Sequence, residues 1–110
     1  MGRWNARKRA GSDASGEVAG ALGPSVTLVE LSLDPIDLQI DWAQIHPVTI
    51  HWEVWDGEVD VGELLAEGND SYGVGNHSES TAATPVPGHA YYGRVTAFGE
   101  DPVVSAMFEV

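Results

Sequence analysis

The chain has no cysteine among its 110 residues, which excludes disulfide bonds and thiolate metal sites. Long apolar runs are also missing, since no stretch approaches the roughly 20 residues that a membrane-spanning helix needs. Residues 10–23 (AGSDASGEVAGALG) are small and polar and lack the apolar core of a secretory signal peptide. We therefore expect a soluble protein that keeps its own amino terminus, is made in the cytoplasm and has no membrane partner.

Basic residues are scarce, with five Lys and Arg against seventeen Asp and Glu. Four of the five lie within the first nine positions: Arg3, Arg7, Lys8 and Arg9. Residues 1–9 therefore carry +4, whereas residues 10–110 carry −17 + 1 = −16. A cationic segment on an acidic body suits docking onto an acidic surface, including that of an identical subunit. Trp4 lies in the same segment and is a candidate anchor for a pocket on that partner.

The acidic body argues against a nucleic-acid partner, because a charge of −16 repels the polyanion that four cations attract. Hydrophobic residues form 43% of the chain, enough for a core, and 110 residues are expected to form one domain. Small residues dominate up to Gly23-Pro24, which indicates a boundary. We divide the chain into a basic arm with a flexible linker, residues 1–23, and a folded domain, residues 24–110.

From residue 25 onward the sequence shows the period-two alternation of β-strands rather than a helical period. Residues 26–33 form the first candidate strand, and a change in the phase of its apolar residues indicates a bulge. The clearest alternation follows in segments 36–42, 48–54 and 91–97, whose apolar residues should face the core. About seven short strands separated by turns predict an all-β fold, a seven-stranded antiparallel β-sandwich.

The remaining segments are less regular. Asp56-Gly57 indicates a hairpin whose return strand begins around residues 59–61. Residues 63–80 are glycine-rich and are expected to be mostly loop, with a short strand near residues 79–84. Apolar residues at alternate positions in segment 104–110 predict a last strand.

Three segments taken together resemble a fibronectin type III domain. LQIDW (residues 38–42) resembles the second strand of that family, which ends in a core tryptophan. VTIHWEVWDG (residues 48–57) resembles its third strand, with aromatic residues at alternate positions. PGHAYYGRVTAF (residues 87–98) resembles its sixth strand, in which Tyr91 takes the place of the corner tyrosine. The resemblance covers residues 24–110 and depends on the order and spacing of the segments.

The resemblance carries one structural departure and limited functional meaning. Gly93 stands where the family has a bulky residue, so a neighbour such as Trp52 is expected to fill the gap. The turn at residues 99–102 has no Arg-Gly-Asp motif, which leaves integrin binding unsupported. Domains of this family act as spacers, adhesion modules and binding scaffolds, so the fold alone fixes no activity.

The sequence predicts no catalytic, cofactor or metal site. A zinc site needs three or four ligands at one point, whereas the strand pattern scatters the histidines, which are His46, His51, His77 and His89. The acids beside the Gly57 turn lack the spacing of a calcium-binding loop; they are Asp56, Glu58 and Asp60. Nucleophile motifs are also missing. We expect a non-enzymatic protein that carries no cofactor.

Three aromatic residues are out of phase with the predicted core: Trp55, Tyr92 and Phe98. Exposed aromatic side chains on one face of a sheet form a candidate contact patch. The alternative for Trp55 is packing beneath the segment at residues 63–80.

These features fit a structural or assembly protein best. We expect an accessory protein of a bacteriophage virion, for example a capsid decoration protein. Its arm would bind a capsid or tail shell, or an identical subunit. The alternative is a carbohydrate- or cell-surface-binding module, extracellular or at the cell surface, with the three aromatic residues as a stacking platform. An engineered binding scaffold on the same fold would show the same pattern.

Overall fold

The computed structural model describes residues 24–110, which form strands joined by turns. The seven strands are β1 (Val26–Leu33), β2 (Leu38–Gln44), β3 (Val48–Asp56), β4 (Glu63–Tyr72), β5 (Gly75–Ser80), β6 (Tyr91–Ala97) and β7 (Val103–Val104). This part of the chain contains no helix, so the all-β prediction is confirmed for it. Accordingly, residues 24–110 include no helix long and apolar enough to cross a membrane. The arm predicted at residues 1–23 lies outside the described residues.

The strands form two antiparallel sheets. One sheet has three strands in the order β1-β2-β5, and the other has four in the order β4-β3-β6-β7. The prediction of seven antiparallel strands is confirmed, and the arrangement is compatible with a β-sandwich. β3 is hydrogen-bonded along both edges, to β4 over residues 48–56 and to β6 over residues 50–56.

The core lies between the inner faces of the two sheets. Alternate residues of β2, β3 and β6 are buried as the sequence predicts, and five of them are 0% exposed: Leu38, Ile40, Ile50, Val54 and Val95. Ile36 belongs to the predicted pattern of β2 but is 63% exposed, because it lies in the turn before the strand begins. The alternation therefore locates the core residues correctly and places the start of β2 two residues too early.

The bulge predicted in β1 is confirmed. Its pairing with β2 shifts register between Val26 and Leu28. Val26, Val29 and Leu31 are buried as a result, whereas Leu28 and Leu33 are exposed. The extra residue of the bulge allows these irregularly spaced apolar residues to face the core on the same side of β1.

Two glycines make room for large side chains, and the pairing differs from the one expected. A Cβ at Gly93 would lie 2.8 Å from Ile40 Cδ1 and 3.0 Å from Leu31 Cδ2. Residues of the opposite sheet, and not Trp52, therefore occupy the space above Gly93. Trp52 packs over Gly68, its direct partner on β4, where a Cβ would lie 2.5 Å from the indole Nε1.

The prediction that residues 63–80 are mostly loop is wrong. They form β4, ten residues long, and β5, six residues long. The hairpin at Asp56-Gly57 is confirmed, but its return strand begins at residue 63, and Val61 lies in the turn with 79% exposure. β4 is polar because it is an edge strand with one face in solvent, so few of its residues need to be apolar.

The last strand is shorter than expected and shows its other face to the core. β7 has two residues, and Ser105 is buried whereas Val104 is 49% exposed. Ser105 takes a core position because its Oγ accepts a hydrogen bond from the backbone N–H of Gly93, at 2.9 Å. Phe108 returns to the core through one bridge to Tyr91.

Tyr72, at the end of β4, links the two sheets. Its hydroxyl donates to Glu79 on β5 at 2.6 Å, and its backbone carbonyl accepts from Gln44 Nε2 on β2 at 3.0 Å. Its ring meets the Trp42 ring edge-on, with 4.9 Å between centroids. Burial, followed by the hydrogen bond to the Glu79 carboxylate, raises the pKa of Tyr72 to about 12.

The predicted tyrosine corner is present at the start of β6. Tyr91 is 2% exposed, and its hydroxyl oxygen accepts a hydrogen bond from the backbone N–H of Val86 at 2.7 Å. The bond ties β6 to the connection that precedes it, which is the geometry of such a corner.

We predict that Tyr91→Phe lowers the free energy of unfolding by about 1–3 kcal/mol, because the N–H of Val86 loses its partner. Urea denaturation measures the change. Tyr92→Phe is the matched control on the outer side of the same strand and should stay within about 0.5 kcal/mol of the wild type. Equal losses in the two variants would contradict a specific role for the corner.

Gly68→Ala tests the close approach of Trp52 to β4. The added methyl group must displace the indole, and overpacking of this kind costs about 1–3 kcal/mol. Gly73→Ala is the control, because a Cβ at Gly73 meets nothing within 4 Å. A thermal melt should show a lower midpoint for Gly68→Ala alone.

Candidate functional site

The outer face of the four-stranded sheet brings together charged side chains from three neighbouring strands and one turn. We call this set the outer-face cluster; it comprises His51, Glu53, Asp60, Glu67 and Arg94. Strand register creates it, because Glu53 on β3 lies directly opposite Glu67 on β4 and Arg94 on β6. Asp60 comes from the turn between β3 and β4. The cluster is a candidate site because so many charges converge on one sheet face.

Glu53 is the centre of the cluster. Its side chain is 11% exposed although it points away from the core. Its Oε1 accepts from Arg94 Nε at 2.7 Å and from Trp55 Nε1 at 3.1 Å, and its Oε2 lies 3.1 Å from His51 Nε2. A carboxylate so covered by its neighbours needs these partners, because burial without them is costly.

Arg94 is the single Lys or Arg of residues 24–110, and it is already engaged. Besides Glu53, its guanidinium donates two hydrogen bonds to Asp60, from Nη1 to Oδ2 at 2.9 Å and from Nη2 to Oδ1 at 3.0 Å. The hydrogen bond to Asp60 is the main cause that raises the pKa of Arg94 above its ordinary value, with Glu53 adding to it. The described part of the body therefore offers no uncommitted basic side chain to an acidic partner.

His51 lies between two carboxylates. Its Nε2 is 3.1 Å from Glu53 Oε2 and 3.2 Å from Glu67 Oε1. The His51 side chain is 37% exposed and that of Glu67 is 51% exposed, so this edge of the cluster faces solvent. His51 was identified in the sequence, whereas Glu67 was missed because β4 was expected to be loop.

The structure brings together two of the three aromatic residues predicted as a surface patch. Trp55 on β3 and Tyr92 on β6 are direct cross-strand partners, and both are half-buried. Phe98 is 81% exposed and follows the last residue of β6. Its backbone N–H donates to the carbonyl of Thr49, near the start of β3, whereas Trp55 lies near the end of that strand. Trp55 also pairs with Leu64 on β4, which is consistent with partial packing against the segment at residues 63–80.

The remaining three histidines lie in different parts of the domain. His46 lies in the turn after β2, and its Nε2 is buried without a hydrogen-bond partner among the described residues. The ring of His77 packs against Trp42, 5.6 Å between centroids. His89 pairs with Asp56 at 2.8 Å, whereas Asp60, on the same turn, pairs with Arg94.

The candidate partner-binding residues of the arm lie outside the described residues: Arg3, Trp4, Arg7, Lys8 and Arg9. Their role remains a prediction from the sequence. Comparison of the chain with protein-family models, curated proteins and solved structures finds no match in any of the three.

We predict that Arg94→Met lowers the free energy of unfolding by about 1.5–3 kcal/mol, because it leaves Glu53 covered and without its cation. Asp60→Asn is the control. The Asp60 side chain is 66% exposed, and an exposed ion pair contributes at most about 1 kcal/mol. Adding Glu53→Gln to Arg94→Met should recover part of the loss in urea denaturation. No recovery would show that Arg94 acts through packing rather than charge.

Proposed function

We propose that the chain is a non-enzymatic assembly protein that docks through its basic arm onto an acidic protein surface. The most specific form is an accessory protein of a bacteriophage virion, such as a capsid decoration protein. In this form the arm binds a capsid or tail shell, or an identical subunit, and the acidic domain projects outward. The virion is then its location after synthesis in the host cytoplasm.

The observation that carries the proposal is the distribution of charge. Residues 24–110 hold fifteen acids, seventeen less Asp13 and Glu17, and one base, which gives −15 + 1 = −14. That base, Arg94, is bound to Glu53 and Asp60. An acidic partner must therefore be contacted through the four cations of the first nine residues, while the body repels it. Ordering each arm residue costs about 1–2 kcal/mol, so a buried Trp4 would have to supplement the ion pairs.

Two features support a fibronectin type III-like domain as the carrier of the arm. The fourth strand pairs with β3 in the four-stranded sheet and does not join the three-stranded sheet. In constant-type immunoglobulin domains the fourth strand joins the sheet of the first two strands, so the order here favours the fibronectin type. The bond between the Tyr91 hydroxyl and the Val86 N–H adds the expected corner. Domains of this class serve as spacers and display modules.

The second candidate function is binding of carbohydrate or a cell surface. It is favoured by the cross-strand pairing of Trp55 with Tyr92, which places two aromatic side chains side by side on the outer face. Phe98 would not belong to that stacking surface, because it lies near the opposite end of β6. The two functions require different residues, and one pair of variants separates them.

We predict that replacing the four cations by Gln (Arg3→Gln, Arg7→Gln, Lys8→Gln, Arg9→Gln) weakens binding to purified particles of the phage that carries the gene. Four exposed contacts of about 0.2–1 kcal/mol each correspond to a loss of about fourfold to several hundredfold. Cosedimentation of the full-length protein with particles measures the affinity. Because exposed ion pairs are screened, wild-type binding should also fall as salt is raised.

Trp55→Ala is the control, and its binding to particles should match the wild type. Glycan binding that is lost in Trp55→Ala and kept in the four-fold Gln variant would instead establish the second function. The gene should also lie beside capsid or tail genes. Unchanged particle binding by the Gln variant would overturn the arm as the docking element.

A further inference from the structure

Three potential metal ligands lie close together on the outer face. One ligand atom from each of His51, Glu53 and Glu67 falls within 4.8 Å of the other two. The imidazole nitrogen is 3.1 Å from the Glu53 oxygen and 3.2 Å from the Glu67 oxygen. A metal with bonds of about 2.0–2.2 Å holds neighbouring ligand atoms roughly 3.0–3.5 Å apart. Two of the three distances between ligand atoms therefore match those in a metal site without any movement of the side chains.

The backbone holds these side chains in place. His51 and Glu53 are two residues apart on β3 and so share the outer face, and Glu67 lies directly opposite Glu53 on β4. Two carboxylates in directly opposed positions repel each other and destabilise a strand pair. The register thus creates a need for positive charge between β3 and β4, at the position where the His51 ring lies.

The charge of the cluster fits a divalent cation. Glu53, Asp60 and Glu67 contribute −3 and Arg94 contributes +1, so the cluster carries −2 when the imidazole is neutral. Arg94 balances the Oε1 side of Glu53 and Asp60, whereas Glu67 pairs with no Lys or Arg among the described residues. A dication beside His51 would bring the whole set to neutrality.

Glu53 is also held in a fixed orientation for such a role. Its Oε1 is occupied by Arg94 Nε at 2.7 Å and Trp55 Nε1 at 3.1 Å, which leaves Oε2 directed at His51. Hydrogen bonds of this kind hold the ligands of metal sites in a fixed orientation. Glu53 is thus positioned on one side by bonds that do not compete for its ligating oxygen.

We propose that His51, Glu53 and Glu67 form a binding site for a divalent transition metal, with Zn²⁺ as the best-suited ion. One imidazole and two carboxylates match the nitrogen and oxygen ligands of zinc, whereas calcium and magnesium prefer oxygen ligands alone. Three protein ligands leave at least one coordination position for water, on the side where Glu67 is exposed. The site is independent of the basic arm and of the function proposed above.

The test is isothermal titration of the chelator-treated full-length protein with ZnCl₂ at neutral pH. We expect one ion per chain and a rise in melting temperature that grows with free Zn²⁺. His51→Ala and Glu67→Gln should each weaken binding on the order of 100-fold, at or above the loss caused by removing an outer-shell partner. CaCl₂ should bind more weakly than ZnCl₂ to the same sample.

His89→Ala is the matched control, because His89 is a half-exposed histidine paired with a carboxylate elsewhere on the domain. It should bind Zn²⁺ like the wild type, as should the four-fold Gln variant of the arm. Glu67→Gln keeps the test valid if His51→Ala fails to fold, since the Glu67 side chain is 51% exposed. Two results would overturn the site: no Zn²⁺ binding below about 1 mM, or binding that survives both His51→Ala and Glu67→Gln.

Discussion

The position of β3 between β4 and β6 is the constraint on which the rest of the domain depends. Its inner side chains, Ile50 and Val54, are 0% exposed, and both of its edges are hydrogen-bonded. Because side chains alternate along a strand, a slip of one residue would turn His51 and Glu53 towards the core and expose the core residues. The burial that fixes the register therefore also fixes which side chains meet on the outer face. The outer-face cluster is thus a consequence of the way in which β3 packs in the core.

Shielding the Glu53 carboxylate from water has an electrostatic cost, and the guanidinium of Arg94 offsets it. Arg94 bonds Glu53 and Asp60 together, so a single cation compensates two carboxylates. The other acids of residues 24–110 have no Lys or Arg to pair with, and most lie where water can solvate them. The body is left with a negative field that a separate cationic segment would be needed to overcome. The pairing of Arg94 with two carboxylates and the docking role proposed for the arm thus both follow from the scarcity of Lys and Arg.

The sequence predicts a strand well where one face of that strand is fully buried in the core. β3 and β6 have one fully buried face, so their alternation identified Ile50, Tyr91 and Val95 correctly. β4 could not be recognised, because it fills its inner side with small residues such as Gly68 beneath Trp52 and leaves its outer side to solvent. Because β4 was not recognised, the contribution of Glu67 to the site was not predicted either. His51 and Glu53 could be placed on one face from their spacing, but pairing Glu67 with them requires a register that the sequence does not reveal.

The two proposed properties use different charges and are compatible. A dication at His51, Glu53 and Glu67 would change the charge of residues 24–110 from −14 to −14 + 2 = −12. Such a body still attracts a segment that carries +4, so contact between the arm of one subunit and the domain of another would remain favourable. The cation would act locally, by relieving the repulsion between Glu53 and Glu67 across β3 and β4. Metal binding is therefore expected to affect the rigidity of this strand pair more than the attraction between subunits.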